Sequence, residues 1–170
     1  VHGDFDDCQA IVKQLFNQHD FRDSVNLSAV NSINWARLMP QIVYYFSAAL
    51  ELGAPQQKVA FSVPTGNFGN IFAGYVAMQM GLPIERLIVA SNQNDILTRF
   101  FELGAMQREV VNPSLSPSMD IQVSSNFERL LFELLERDGA ETARVMAHFA
   151  ATGKFVLSET VMAEARSLFS

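Results

Sequence analysis

The chain has 170 residues, 49% of them hydrophobic, so it is long enough to bury a core and disorder is not expected. Its formal net charge is −6 and it has no run of lysine or arginine, which argues against nucleic acid or an anionic membrane surface as a partner. No apolar stretch of about eighteen residues is present and the N-terminus is acidic, so we predict a cytoplasmic protein without a membrane span.

The start of the chain predicts two helices with a short strand between them. Apolar residues between Phe5 and Phe16 recur at spacings of three and four, which predicts an amphipathic helix with one buried face. The polar run NQHDFRDS predicts a break after this helix, and the run VNLSAV predicts a strand over residues 25–30. The run NSINWARLMPQIVYYFSAALELG then predicts a long, mostly buried helix that ends at Gly53 and is kinked at Pro40.

Two strand–turn–helix units follow directly. KVAFSVP predicts a strand, TGNFGN a glycine loop and IFAGYVAMQMG a helix. RLIVASN predicts a second strand, and NDILTRFFELG predicts a helix with Asn94 or Asp95 as its N-cap. Alternating strands and helices are typical of right-handed crossovers. We therefore predict an α/β fold of three layers, in which a parallel sheet has helices on both faces.

The chain beyond Met106 changes in character. The segment EVVNPSLSPSMDIQVSS is rich in proline and serine, which predicts a long ordered loop or an exchange between subdomains. Ser116, Ser118 and Asp120 lie in it, and we expect the segment to border an active site. Helix is predicted again over residues 126–149 and in the final run ETVMAEARSLFS. Because the chain starts at a valine and its last helical pattern stops without a helix-ending residue, we expect a piece of a longer protein.

Metal binding and disulfide bonding are not predicted. The sequence has one cysteine, Cys8, so it cannot form an internal disulfide. His2, His19 and His148 are scattered along the chain, with no carboxylate or cysteine at ligand spacing.

Residues 65–70, here called the TGNFGN loop, have the composition of a phosphate-binding turn. A helix start has backbone N–H groups without carbonyl partners, and its dipole attracts anions. Gly66 and Gly69 remove Cβ atoms that would block close approach and allow unusual φ values, while Asn67 and Asn70 add side-chain donors. We expect the loop beyond the carboxyl end of a parallel strand, where ligands bind in such sheets. An ordinary glycine turn remains the alternative.

At this loop the sequence resembles a known family. The run SVPTGNFGNIFAGY is similar to the cofactor-phosphate loop of the threonine synthases, which are pyridoxal phosphate (PLP) enzymes related in fold to the tryptophan synthase β-subunit. Four further runs resemble the same family in the same order: GDFDDCQAIVKQLF, NSINWARLMPQIVYY, SNQNDIL and SPSMDIQVSSNFERLLFELL. Together they cover most of the chain from Gly3 to Leu135.

The resemblance implies a PLP-dependent lyase of threonine biosynthesis, which converts O-phospho-L-homoserine and water to L-threonine and phosphate. Residues 1–105 would form the part that binds the cofactor phosphate, and residues 106–170 a loop and helical continuation of the same enzyme. The remainder of the parent chain would be the partner of this one. The implied cofactor-binding residues are Thr65, Gly66, Asn67, Phe68, Gly69 and Asn70.

The resemblance also implies that the lysine of the Schiff base is absent from these residues. In the family that lysine precedes the run GDFDDCQ, and we expect Lys13, Lys58 and Lys154 to be solvated side chains. These 170 residues would then contain no catalytic residue and be inactive alone. Two alternatives stay open: another PLP lyase or dehydratase of the same fold, and a non-catalytic module that binds a phosphate ligand.

A second polar turn precedes the long helix. Asn31, Ser32 and Asn34 have the same strand-to-helix position as the TGNFGN loop, and Arg37 follows one turn later with a fork of donors for an anion. Turn and N-cap roles explain the same asparagines and serine. Substrate binding and capping are therefore both open.

Overall fold

The structure is a computed structural model that describes residues 2–3 and 5–170. Its helices are α1 Phe5–Asn17, α2 His19–Ser24, α3 Trp35–Glu51, α4 Gly69–Gln79, α5 Ile96–Leu103, α6 Phe127–Leu134, α7 Gly139–Thr152 and α8 Glu159–Leu168. Its strands are β1 Val59–Pro64, β2 Ile84–Ala90, β3 Ala105–Gln107 and β4 Lys154–Val156. One turn of 3-10 helix, Pro117–Met119, interrupts the segment between β3 and α6.

The main sheet consists of β1 and β2, which are parallel and are joined by the crossover helix α4. Ser170 extends this sheet beside β2, because its N–H donates to the Leu87 carbonyl at 3.1 Å and its carbonyl accepts from the Val89 N–H at 2.7 Å. The predicted α/β class with parallel strands is confirmed. β3 and β4 form a separate antiparallel pair that the sequence did not predict.

The helices of the described chain cover one face of the parallel pair. Alternate residues of a strand point to opposite faces, and Val63, Leu87 and Val89 are buried on the first face. On the second face Ser62 and Ile88 are exposed. Within the described residues, the predicted second helical layer is therefore not found over this face.

The core surrounds α4, which is apolar on all sides. Gly74 lets α4 approach its neighbours, since a Cβ there would lie 2.6 Å from a ring carbon of Tyr45 on α3 and 2.9 Å from Leu87 on β2. A group of buried rings, here called the phenylalanine cluster, joins the start of α4 to α5, α6, β4 and the C-terminus. Its members are Phe68, Phe100, Phe101, Phe127, Phe155 and Phe169.

The first 50 residues depart most from the predictions. The helix α1 is confirmed, but none of its residues is fully buried. The strand predicted over residues 25–30 is wrong: these residues form no strand, and Val25 is 52% and Val30 is 80% exposed. The polar run predicted as a break forms α2. The long helix α3 is confirmed and contains Pro40, but the prediction that it is mostly buried is wrong, because only Leu38, Tyr45 and Ala49 of its residues are buried.

The described residues contain neither a candidate membrane span nor a candidate metal cluster. None of the helices there is both long and apolar enough to cross a membrane. Groups of three or more histidine, cysteine, aspartate or glutamate side chains that could hold a metal ion are also absent from residues 2–3 and 5–170.

Candidate functional site

The TGNFGN loop lies at the carboxyl end of β1 and leads directly into α4. The Thr65 N–H donates to the Ala90 carbonyl of the neighbouring strand at 2.9 Å, so the loop begins where the sheet ends. β2 ends at the same edge, and the turn after it lies beside the loop. This edge is the usual place for ligands in open parallel sheets.

Backbone amides at the start of α4 are not used by internal hydrogen bonds. The N–H groups of residues 66–71 donate to no acceptor among the described residues. The Phe72 N–H then makes the first helical hydrogen bond, to the Phe68 carbonyl at 3.0 Å. Unclaimed N–H groups at the positive end of a helix dipole bind phosphate dianions in many proteins. The residues therefore fit a phosphate group of the kind that PLP carries.

Phe68 provides the turn of the loop. Its φ of 64° and ψ of −6° lie in the left-handed region, and its ring is fully buried in the phenylalanine cluster. Only its backbone can therefore meet a ligand. The expectation that Gly66 and Gly69 supply unusual φ values is wrong, because neither has a positive φ.

The two glycines are needed for close packing instead. A Cβ on Gly66 would lie 2.7 Å from Cδ1 of Ile121. A Cβ on Gly69 would lie 2.9 Å from Cβ of Ser32 and 3.2 Å from Nδ2 of Asn126. Closely packed interiors do not accommodate contacts this short. Glycine thus lets three side chains from distant segments pack directly onto the loop.

Asn67 and Asn70 are held by neighbouring elements. The Asn67 Oδ1 accepts from the Ser125 hydroxyl at 3.0 Å and from Gln9 Nε2 at 3.3 Å. The Tyr45 hydroxyl lies 2.9 Å from Asn70 Oδ1 and 3.0 Å from the Asn70 carbonyl. Burial raises the pKa of Tyr45 well above its usual range, so the phenol stays protonated and donates. The side chains expected to donate to the phosphate are thus anchored through their oxygens.

Asn126, which the sequence analysis did not select, connects three segments. Its side chain is almost completely buried, at 1% exposed. Its backbone N–H and its Nδ2 both donate to the Asn67 carbonyl, each at 3.0 Å. Nδ2 also donates to the Ser32 hydroxyl at 2.9 Å. The sequence SSNFER indicates only an N-cap at this position, yet the side chain makes no capping hydrogen bond.

The second polar turn, residues 31–34, borders the loop through Ser32. The Asn31 side chain closes a local turn and the Asn34 side chain caps α3, so both have the structural roles left open above. Arg37 is exposed, and its guanidinium has no hydrogen bond or ion pair within the described part of the chain. Among the described contacts of these four residues, those with the TGNFGN loop and with Asn126 are made by Ser32.

A buried network centred on Asp120 holds the long loop, residues 108–126, against the end of β2. Asp120 is 5% exposed, and its Oδ1 accepts from Asn92 Nδ2 at 2.8 Å and from Asn94 Nδ2 at 3.0 Å. The hydroxyl and N–H of Ser114 donate to its two oxygens at 2.6 and 2.7 Å. The Ser114 hydroxyl is the main cause that holds the pKa of Asp120 below its usual range.

This network corrects the prediction of the N-cap of α5. Asn94 does not cap the helix, because its side chain binds the long loop. Asp95 occupies the N-cap position without a capping hydrogen bond and pairs with Arg99 at 2.8 Å. Within the long loop Ser116 and Ser118 are exposed. The residues of the long loop that contact the TGNFGN loop include Ile121, Ser125 and Asn126.

The three lysines of the sequence lie on different elements. Lys58 is exposed and directly precedes β1, whereas Thr65 directly follows it. The length of the extended strand therefore separates the two residues by about 20 Å. Lys154 is exposed in β4. Lys13 is half-buried on α1, one turn after Gln9, whose side chain donates to Asn67 of the loop.

The arrangement is that of an α/β domain in which a helix begins at the carboxyl edge of parallel strands, the usual place for a ligand in such sheets. The family model of pyridoxal-phosphate dependent enzymes matches residues 1–168 of the chain. The chain therefore belongs to this family of PLP enzymes.

Several relatives are threonine synthases. The threonine synthase of Pseudomonas aeruginosa is 58% identical over 169 residues, which are 99% of this chain and 36% of that protein. The threonine synthase of Saccharomyces cerevisiae is 53% identical over 137 residues, or 79% of this chain and 27% of that protein. The PLP-bound threonine synthase of Brucella melitensis superposes with a TM-score of 0.89 at 59% identity, over 99% of this chain and 36% of that chain. The chain thus spans about a third of the length of these relatives.

Proposed function

We propose that the chain forms the cofactor-phosphate part of a threonine synthase, which as a whole converts O-phospho-L-homoserine and water to L-threonine and phosphate. The observation that carries the proposal is the run of unclaimed N–H groups over residues 66–71 at the start of α4. The family match supports PLP as the ligand whose phosphate these groups would bind. The relatives support the choice of reaction.

The residues of this chain would bind and orient the cofactor. The N–H groups of residues 66–71 would donate to the phosphate, with Thr65 beside them, and the dipole of α4 would add to the attraction. Bound there, PLP supplies an electron sink that stabilises carbanions of the substrate. The Tyr45 hydroxyl holds Asn70, and the Ser125 hydroxyl holds Asn67, so the loop is ordered before the cofactor binds.

We also propose a substrate-binding role for the second polar turn. Ser32 packs on Gly69, so a substrate bound beside Ser32 would also be near the cofactor phosphate. Arg37 has a charged group free for an anion, and Asn31 and Asn34 fix the turn between them. A cytoplasmic location stays a prediction.

The lysine that forms the imine with PLP is, in this proposal, in the remainder of the parent chain. Lys58 and Lys154 are exposed, and none of the three lysines makes a described contact with the loop. The 170-residue chain should therefore bind PLP without forming a stable imine. An imine absorbance band that survives dialysis and disappears in Lys13→Met would contradict this part of the proposal.

The binding proposal is tested by removing one backbone N–H group from the start of α4. In the full-length protein that contains this chain, Asn70→Pro deletes one donor in the first turn of α4, where proline is tolerated. Gly69 also lacks the Cβ that a following proline would crowd. Asn70→Ala is the matched control, because it loses the same side chain and keeps the N–H.

We expect PLP affinity about tenfold lower in Asn70→Pro than in Asn70→Ala, because a hydrogen bond to a charged group is lost. Affinity for pyridoxal, which has no phosphate, should be equal in the two variants. Equal PLP affinities would refute phosphate binding by the loop. A separate activity assay on the unaltered protein tests the reaction. Release of phosphate from O-phospho-L-homoserine would support threonine synthase over a dehydratase. PLP binding without turnover would favour a non-catalytic module.

A further inference from the structure

We propose that Asn126 orients the phosphate-binding face of the TGNFGN loop and is a positioning residue for this site. The inference rests on the proposed binding of the cofactor phosphate. It assigns a specific function to a buried side chain that lies 59 residues away from the loop in sequence.

The peptide unit between Asn67 and Phe68 has a fixed direction. In a trans peptide the C=O and the following N–H point in opposite directions, and the cis bond of the described chain lies elsewhere, at Ala54–Pro55. Two donors of Asn126, its backbone N–H and its Nδ2, hold the Asn67 carbonyl, each at 3.0 Å. The Phe68 N–H must therefore point away from Asn126, and it belongs to the run of N–H groups available to the phosphate.

The Asn126 amide can serve this role in only one orientation. A carbonyl oxygen can only accept, so the amide nitrogen has to face Asn67. In that orientation Oδ1 is buried without a hydrogen-bond partner among the described residues. An unpaired buried acceptor offsets much of what the other hydrogen bonds contribute to stability. A contribution to stability alone is thus a weak explanation for an asparagine at this position. Its effect on the orientation of the TGNFGN loop is a sufficient explanation.

Asn126 also connects the loop to the second polar turn. Its Nδ2 lies 2.9 Å from the Ser32 hydroxyl as well as 3.0 Å from the Asn67 carbonyl. Gly69 makes this approach possible, because a Cβ there would lie 3.2 Å from Nδ2. One amide therefore fixes the distance between the proposed phosphate site and the turn proposed to bind the substrate.

The test compares PLP with pyridoxal in the full-length protein after removal of its cofactor. Asn126→Ala removes the side-chain donor, and Asn126→Asp keeps the shape but places a carboxylate oxygen against the Asn67 carbonyl. Asn112→Ala is the control, because that exposed side chain makes no hydrogen bond in the described part of the chain. Circular dichroism checks that each variant is folded. The measured quantity is the ratio of the dissociation constants for pyridoxal and PLP.

We expect this ratio to fall about tenfold in both Asn126 variants and to stay unchanged in Asn112→Ala. A change of stability alone would weaken binding of both ligands and leave the ratio as it was. Folded Asn126 variants that keep the wild-type ratio would overturn the inference. If the unaltered protein does not prefer PLP to pyridoxal, the proposed function itself fails.

A measurement on the unaltered protein covers the case in which the variants do not fold. With 15N-labelled phenylalanine, the Phe68 amide proton should shift downfield on addition of PLP and stay in place on addition of pyridoxal. A Phe68 amide that does not respond to PLP would also overturn the inference.

Discussion

Replacing Gly66 by alanine should be harmful only while Ile121 keeps its terminal methyl group. The new Cβ would lie 2.7 Å from Cδ1 of Ile121 and 3.4 Å from its Cβ and Cγ1. Ile121 is 1% exposed, so its side chain has little open space to move into. Overpacking of this kind costs about 1–3 kcal/mol. We expect Gly66→Ala to lower the free energy of unfolding by that amount.

The double variant with Ile121→Val should behave differently. Valine lacks Cδ1, and on its own this change costs about 0.5–1.5 kcal/mol. Because Gly66 has no positive φ, alanine fits the backbone there and reduces the entropy of the unfolded chain by about 0.4–1 kcal/mol. The double variant should therefore be about as stable as Ile121→Val alone, with a coupling of about 1–3 kcal/mol between the two sites.

The assay is urea and thermal unfolding of the wild type, the two single variants and the double variant of the protein that contains this chain. Gly139→Ala is the control, because the nearest atom to its new Cβ, on Phe132, is 4.0 Å away. That substitution should be neutral or slightly stabilising in a helix. If the effects of Gly66→Ala and Ile121→Val simply add, the contact between the two residues is not what requires glycine at position 66.

Tyr45→Phe removes the hydroxyl that holds Asn70, and we expect about 1 kcal/mol lower stability and weaker PLP binding in a fluorescence titration. Wild-type stability should fall as the pH rises above about 10, because unfolded Tyr45 ionises there while burial keeps the folded phenol protonated; a fall that is equally steep in Tyr45→Phe would count against this. The pKa of Asp120 is lowered in the folded state, so its contribution is present at neutral pH and lost as the pH falls below about 4. Asp120→Asn should remove that acid dependence in thermal unfolding and make residues 108–126 cleavable by protease, and an unchanged acid dependence would contradict it.

The parts of the fold that the sequence predicted well have local signals. β1, the TGNFGN loop and α4 follow one another directly, and each has a composition typical of its structure. The strand predicted over residues 25–30 fails because alternation in a short segment does not ensure a partner for it. β3 and β4 were missed because each has three residues and they pair across the chain, Ala105 with Val156.

The candidate site was predictable to a similar extent. The loop itself stands out by composition, but its supports come from elsewhere in the chain: Tyr45 lies 25 residues before Asn70, and Asn126 lies 59 residues after Asn67. The requirement for Gly66 also depends on Ile121, which a single sequence gives no means of pairing with it. What the sequence could not predict are contacts whose partners are set by the tertiary fold.

The start of α6 controls the loop in two ways at once. Asn126 holds the Asn67 carbonyl, and the next ring, Phe127, packs edge-on against Phe68 with 5.5 Å between ring centroids. The first contact fixes the peptide unit before Phe68, and the second keeps its ring in the core, so together they maintain a left-handed conformation that costs about 1–2 kcal/mol for a non-glycine residue. Because Phe68 has its ring in the core and its N–H on the opposite side of the loop from Asn126, packing in the phenylalanine cluster and the direction of the free amides cannot vary independently.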